Sequence, residues 1–263
     1  MLLHRPDGEW MGQIRALFHD LNRLCSIRTN RSCGFHVRFS PVDGWNLERV
    51  KALGRAIIYF EPSFEEILPV ERRRNEYAKS NHFDKSQLRE KSGQEIFQAI
   101  DNFTHAVHVA DLLNDGGDRY YGWDLTNLYY GRIQTIEFRR GPGVHTYGEC
   151  VGWIECVLWF ARAVLSVSPS ELQQHTQDVA GLRGFITKNP AVDVDILRPL
   201  FHGHSGFLTP QRVGDIGPAR RQKLESKKSQ GDAKNLMSMK MRYFFRRLIV
   251  LIALQLVVFR IGF

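Results

Sequence analysis

The stretch RYYGWDLTNLYYGRIQTIEFRR, Arg119 to Arg140, decides the fold. Its last part, Thr135-Ile136-Glu137-Phe138-Arg139, alternates polar and apolar residues as a half-buried β-strand does. Successive side chains of a strand point to opposite faces, so Thr135, Glu137 and Arg139 share one face and Ile136 and Phe138 the other. A carboxylate and a guanidinium then lie side by side on a strand with an apolar back. A carboxylate can hold a divalent cation, and an arginine fork can hold a phosphate or a second carboxylate. Taken alone, the stretch is equally a half-exposed strand carrying a surface ion pair. The aromatic run before it, Tyr120, Tyr121 and Trp123, predicts a partner strand over 120–125.

A second strand of the same design lies upstream. In NRSCGFHVRFSP, Asn30 to Pro41, the apolar Phe35, Val37 and Phe39 alternate with Gly34, His36 and Arg38. Pro41 and Gly44 end it. Read together, the two polar faces offer His36, Arg38, Glu137 and Arg139, a site suited to metal and phosphate. Hard cations bound with phosphate take carboxylate oxygens and occasionally an imidazole. Arginine neutralises a transferring phosphoryl group.

Four helices are predicted around these strands. Residues 9–25 carry an apolar stripe of Trp10, Ile14, Leu17, Phe18, Leu21 and Leu24. Residues 46–60 turn Leu47, Val50, Leu53, Ile57 and Ile58 inward, and Glu61-Pro62 breaks the helix. The others are 94–113 and the most apolar, 147–167, fit to cover the back of a sheet. Between them, 64–80 holds three arginines whose plain reading is a solvated basic turn, and 81–92 reads as a polar surface loop. The expected fold is therefore α+β, an antiparallel sheet with helices packed on one face. A parallel doubly wound sheet would need continuous apolar strands, which the sequence lacks.

The chain has 263 residues and a net charge of +8. Residues 212–263 hold 12 Lys and Arg against 3 Asp and Glu, and the remainder holds 24 against 25. The basic excess belongs to the tail, so the body is not expected to bind nucleic acid specifically. The four cysteines form no CxxC pair and no zinc spacing, and a secretory leader is not expected from the opening residues. These features suit a reducing, cytoplasmic setting with thiols buried as small hydrophobes. The expected organisation is a body over 1–210, a basic linker over 211–242 and an apolar terminal helix over 243–263. Within the body, 170–177 suits a short helix and His202-Gly203-His204 a turn. The apolar run Leu248 to Phe259 is short for a membrane span, and the tail's basic charge suits an anionic membrane surface. Membrane association through the tail is therefore the alternative location.

Four elements in order carry a resemblance: Arg31-Ser-Cys-Gly-Phe-His-Val37, Phe60-Glu-Pro62, Arg72-Arg73-Arg74-Asn75-Glu-Tyr77 and Thr135-Ile-Glu-Phe-Arg-Arg140. Over about residues 9–167 the chain resembles the fungal amidoligase family. That family is similar to the glutamine synthetase and glutamate–cysteine ligase group of carboxylate–amine ligases. The resemblance implies a glutamine synthetase-like core that uses ATP and magnesium to join small-molecule carboxylates and amines through an acyl phosphate. It implies that His36 and Glu137 hold metal and that Arg139 and Arg73 act in catalysis. It further implies that Arg38, Arg72, Asn75 and Asp124 reach nucleotide or substrate. The chain departs from the family at Arg38, where a second histidine is common, and at Asp124, where an asparagine is common. The family's opening Gly-x-Glu-x-Glu strand would precede Met1, so the expected core is truncated at its N-terminus. The alternative reading is a non-catalytic remnant, membrane-associated through its tail.

Overall fold

A computed structural model of the chain describes residues 2–4, 9–30, 32–129, 135–213, 222, 226 and 257–261. In chain order the elements are β1 (Leu2–His4), α1 (Glu9–Leu24), β2 (Gly34–Pro41), α2 (Leu47–Ile67), α3 (Gly93–Asp101) and α4 (Ala106–Leu113). There follow β3 (Trp123–Asp124), β4 (Ile136–Pro142), α5 (Tyr147–Ser166), α6 (Pro169–Leu172), α7 (Val179–Thr187), α8 (Val194–Phe201) and β5 (Val257–Ile261).

The two alternating stretches become the centre of one sheet, ordered β1-β5-β2-β4-β3. Strands β2, β4 and β3 form the antiparallel part, while β5 runs parallel to both β2 and β1. The fold is α+β, as expected. The apolar face holds Phe35, Val37, Phe39, Ile136, Phe138 and Trp123, all buried. Helices α2 and α5 close over it: Phe64 meets Trp123 and Phe160 edge-on at 5.8 and 5.1 Å, and Phe138 stacks on Trp153 at 5.7 Å. Aromatic pairs in these geometries add to the area they bury. Of the thiols, Cys150 and Cys156 are buried in α5, and burial pushes each up to about 12. Cys25 is exposed and Cys33 half-buried.

Several expectations need correction. Helix α2 does not break at Pro62 but runs on to Ile67. A proline inside a helix removes one N–H and strains the preceding turn. Here Arg140, from β4, reaches Glu61 at 3.7 Å and hydrogen-bonds Glu65, one turn apart on either side of the proline. The clamp ties together the two turns that flank the proline. The helix expected over 94–113 is two, α3 and α4. The run Asn102-Phe103-Thr104-His105 between them is poor in helix formers. Residues 81–92 form the expected loop, exposed at 86–87 and 90–92, but it is anchored in the core by Asn81, Lys85 and Leu88. Asn81 is fully buried and its side chain bonds the backbone of Leu113 and Trp123, while Lys85 Nζ donates to Asp111 O and Asp115. The strand expected over 120–125 is only Trp123–Asp124, because Tyr121 bridges to Lys79 instead.

Toward the end, α6 opens on a Ser168 capping box with Glu171, and Gly203 takes a positive φ of 81° in the predicted turn. Of the terminal segment expected as helix, Val257–Ile261 is strand, consistent with its β-branched and aromatic sequence VVFRI. The rest of 243–263, and nearly all of 214–242, lie outside the described residues, as does Arg31. Among the described residues no helix is long and apolar enough to cross a membrane.

Candidate functional site

The pairing of β2 with β4 aligns Val37 with Phe138, Arg38 with Glu137 and Phe39 with Ile136. The register then shifts, so that Phe35 pairs with Gly141. Two residues of β4, Arg139 and Arg140, thus stand opposite the single His36. Such a bulge re-aims side chains, and bulges are common beside active sites. Arg139 turns to the polar face while Arg140 turns to Glu61 and Glu65 beneath the sheet.

Glu137 is the hub of the polar face and has no exposed surface. Its Oε1 lies 2.8 Å from His36 Nδ1 and accepts from Arg139 Nη1 at 2.9 Å. Its Oε2 accepts from Arg38 Nη2 at 2.7 Å, with Arg119 Nη2 at 3.8 Å. Burial alone would raise this carboxyl, but the His36 hydrogen bond and the charges of Arg139 and Arg38 reverse the sign and hold it far below the usual carboxylate range. His36 is lowered, first by burial and also by the charges of Arg139 and Arg72, against the pull of Glu137. A neutral imidazole donating Nδ1–H to Glu137 satisfies both. Arg139 is also lowered by burial, which Glu137 opposes. Its guanidinium lies 5.9 Å from the centre of the Tyr120 ring, which packs edge-on against Tyr77.

The charges do not cancel. Arg38, Arg119 and Arg139 face one ionised carboxylate. The Nε donors of Arg38 and Arg119 are buried and have no hydrogen-bond partner among the described residues. A buried donor without an acceptor is costly, and an oxyanion would supply the acceptors. Asp124, aligned with Glu137 across β3 and β4, does not answer them. It accepts from Thr126 N at 2.9 Å and Thr126 Oγ1 at 2.6 Å, and burial, with Glu137 nearby, raises its carboxyl. It lies on the floor of the site, where it caps the turn that follows.

The structure brings His36, Arg38, Asp124, Glu137 and Arg139 together and sets the other three expected residues to different work. Arg72 is buried, and its guanidinium donates to the backbone oxygens of Cys33, Arg139 and Arg140. Burial, then the charges of Arg140 and Arg139, bring it down to about 10. It pins the bulge. Arg73 donates to Leu68 O and Glu66 O at 3.0 Å each, closing the C-terminus of α2. Asn75 accepts from Tyr77 N at 2.9 Å in a local turn. Sequence reading missed Arg119. Its position at the head of an aromatic run is a signal, but only the return of 119–124 beside β4 gives it meaning.

The expected magnesium ligands do not fit a metal as they stand. Two ligands of one cation aim at a common point, whereas His36 and Glu137 bond each other, and guanidinium groups occupy both carboxylate oxygens. Among the described residues no group of three His, Cys, Asp or Glu could hold a metal ion. A cleft of about 610 Å³ beside α7 and α8, lined in part by Arg183, Arg198, Phe201 and His202, shares no residue with the cluster.

Residues 4–161 match the family model described as "Putative amidoligase enzyme". No curated protein and no solved structure matches the chain.

Proposed function

The chain belongs to the amidoligase family, and on that premise we propose that it joins a carboxylic acid to an amine at the expense of ATP. The carboxylate oxygen would attack the γ-phosphorus, ADP would leave, and an acyl phosphate would form. The amine would then add to the acyl carbon and expel inorganic phosphate, leaving an amide and a released proton. Magnesium would arrive with the nucleotide, where it supplies charge neutralisation. This chain's own residues handle the anion.

One observation carries the proposal: the unanswered donors of Arg38 and Arg119 beside the guanidinium of Arg139. A site with three guanidinium groups and one ionised carboxylate favours an incoming anion, whether the substrate carboxylate or the phosphoryl group it acquires. Glu137 holds the forks of Arg38 and Arg139 by hydrogen bonds, so their donors need little reorganisation when charge develops.

The test is phosphate release from ATP and magnesium with pooled amino acids and dicarboxylic acids, with mass spectrometry for a new amide. The expected outcome is release that depends on both an acid and an amine. Folded protein that releases no acid-dependent phosphate with any pool would sink the reading.

A further inference from the structure

We infer that Arg38 takes the place of a metal cation at Glu137, so that the carboxylate anchors guanidinium groups and is not a magnesium ligand. The argument begins in the backbone. Arg38 and Glu137 are direct cross-strand partners, which sets the guanidinium opposite the carboxylate. The 2.7 Å contact fills Oε2 with a permanent positive charge. Oε1 is filled in turn by Arg139 and by the imidazole of His36. A divalent cation bound there would displace these hydrogen bonds of Glu137 and face three guanidinium groups at close range.

Position 38 therefore decides whether Glu137 can take a metal. Histidine there would add a neutral nitrogen ligand beside His36 and Glu137 and remove one repelling charge. Arginine does the opposite. The positive field of the site is therefore built into the chain, and it persists when divalent cations are withdrawn.

The inference deepens the ligase reading but is tested apart from turnover. Mn²⁺, as the spectroscopic probe, is titrated into the full chain with no nucleotide or acid present, and free Mn²⁺ is read by electron paramagnetic resonance. Wild type and Glu137→Gln should bind Mn²⁺ alike, since Glu137 makes no site. Arg38→His should gain a site at least about tenfold tighter than anything in wild type, on the scale by which altered ligand surroundings change metal affinity. Adding Glu137→Gln should abolish the gain. Arg38→Gln, which removes the charge without adding a ligand, should gain a weaker Glu137-dependent site and serves if Arg38→His does not fold. A Glu137-dependent site in wild type overturns the inference, as does a folded Arg38 variant that gains none. A chain that releases phosphate yet shows that wild-type site refutes this inference alone. A chain with neither metal site nor acid-dependent phosphate release refutes the ligase reading alone.

Discussion

Replacing Glu137 by glutamine tests the hub directly. The change is nearly isosteric, so packing against β2 and β3 survives. The carboxylate, however, accepts from two guanidinium groups, contacts the His36 imidazole and lies near Arg119. The amide has one oxygen to offer and turns an NH2 group toward donors. Removing one partner of a buried ion pair costs about 3–5 kcal/mol, because the surviving charge is left unpaired. Here several charges are left. At ~2–4 °C of melting temperature per kcal/mol for a domain this large, the fall should be about 10 °C or more at neutral pH. The pH dependence has a fixed sign. The folded carboxyl lies below its ordinary value of 4.5, so its stabilisation is present in full above that value and is lost as the pH falls through the folded one. The gap between wild type and variant should therefore be widest at pH 7 and narrow below about pH 4.5. Thermal and urea unfolding followed by circular dichroism measure it. A variant within about 1 kcal/mol of wild type at pH 7 would refute the hub, since that is what an exposed pair is worth.

Arg139→Lys should lower kcat/KM by about 100-fold with the fold intact, because an ammonium cannot reproduce a fork held between Glu137 and Tyr77 O; steady-state kinetics beside a melting curve separate the two effects. Arg73→Ala should leave turnover within a few-fold and cost about 1–2 kcal/mol in urea unfolding, since its bonds close α2. Gly141→Ala places a Cβ 2.8 Å from Phe35 O, a backbone atom that cannot step aside, and should destabilise by about 1–3 kcal/mol. Arg140→Met should be worse, about 3–5 kcal/mol, because it removes the cation bonded to the buried Glu65 and beside the buried Glu61. A mild Arg140→Met would mean that Pro62 needs no clamp.

The main outline of this fold was legible because it is written in periods. Phe35, Val37 and Phe39, and Ile136 and Phe138, announce buried strand faces, and the stripe of Trp10, Ile14 and Phe18 announces a helix. The same alternation brought His36, Arg38, Glu137 and Arg139 onto one face. It could not show that this polar face is itself buried: every residue from 136 to 141 is enclosed, by pieces such as Arg119 and Tyr120 that return from outside the pattern. Nor could it separate three consecutive arginines. Arg72 pins a bulge, Arg73 closes a helix and Arg74 adopts a positive φ of 53°, all fixed by distant backbone. Pro62 misled for the same reason. Its penalty is local, and the Arg140 clamp that offsets it comes from a strand far along the chain. Magnesium at His36 and Glu137 was what the family resemblance implied, and the distances favour a direct contact between them.

The Arg38–Glu137 contact joins residues 99 apart in sequence. Between them run α2, α3 and α4, and such long closures are slow relative to helix formation. Neither strand carries a working half of the site. Any fragment of the chain that omits one strand, however well its helices form, lacks the guanidinium array. Capture of an anion at the cluster is therefore a direct readout of completed folding: a refolding chain should acquire it in its last kinetic phase, together with the final protection of the β2 and β4 amides from exchange.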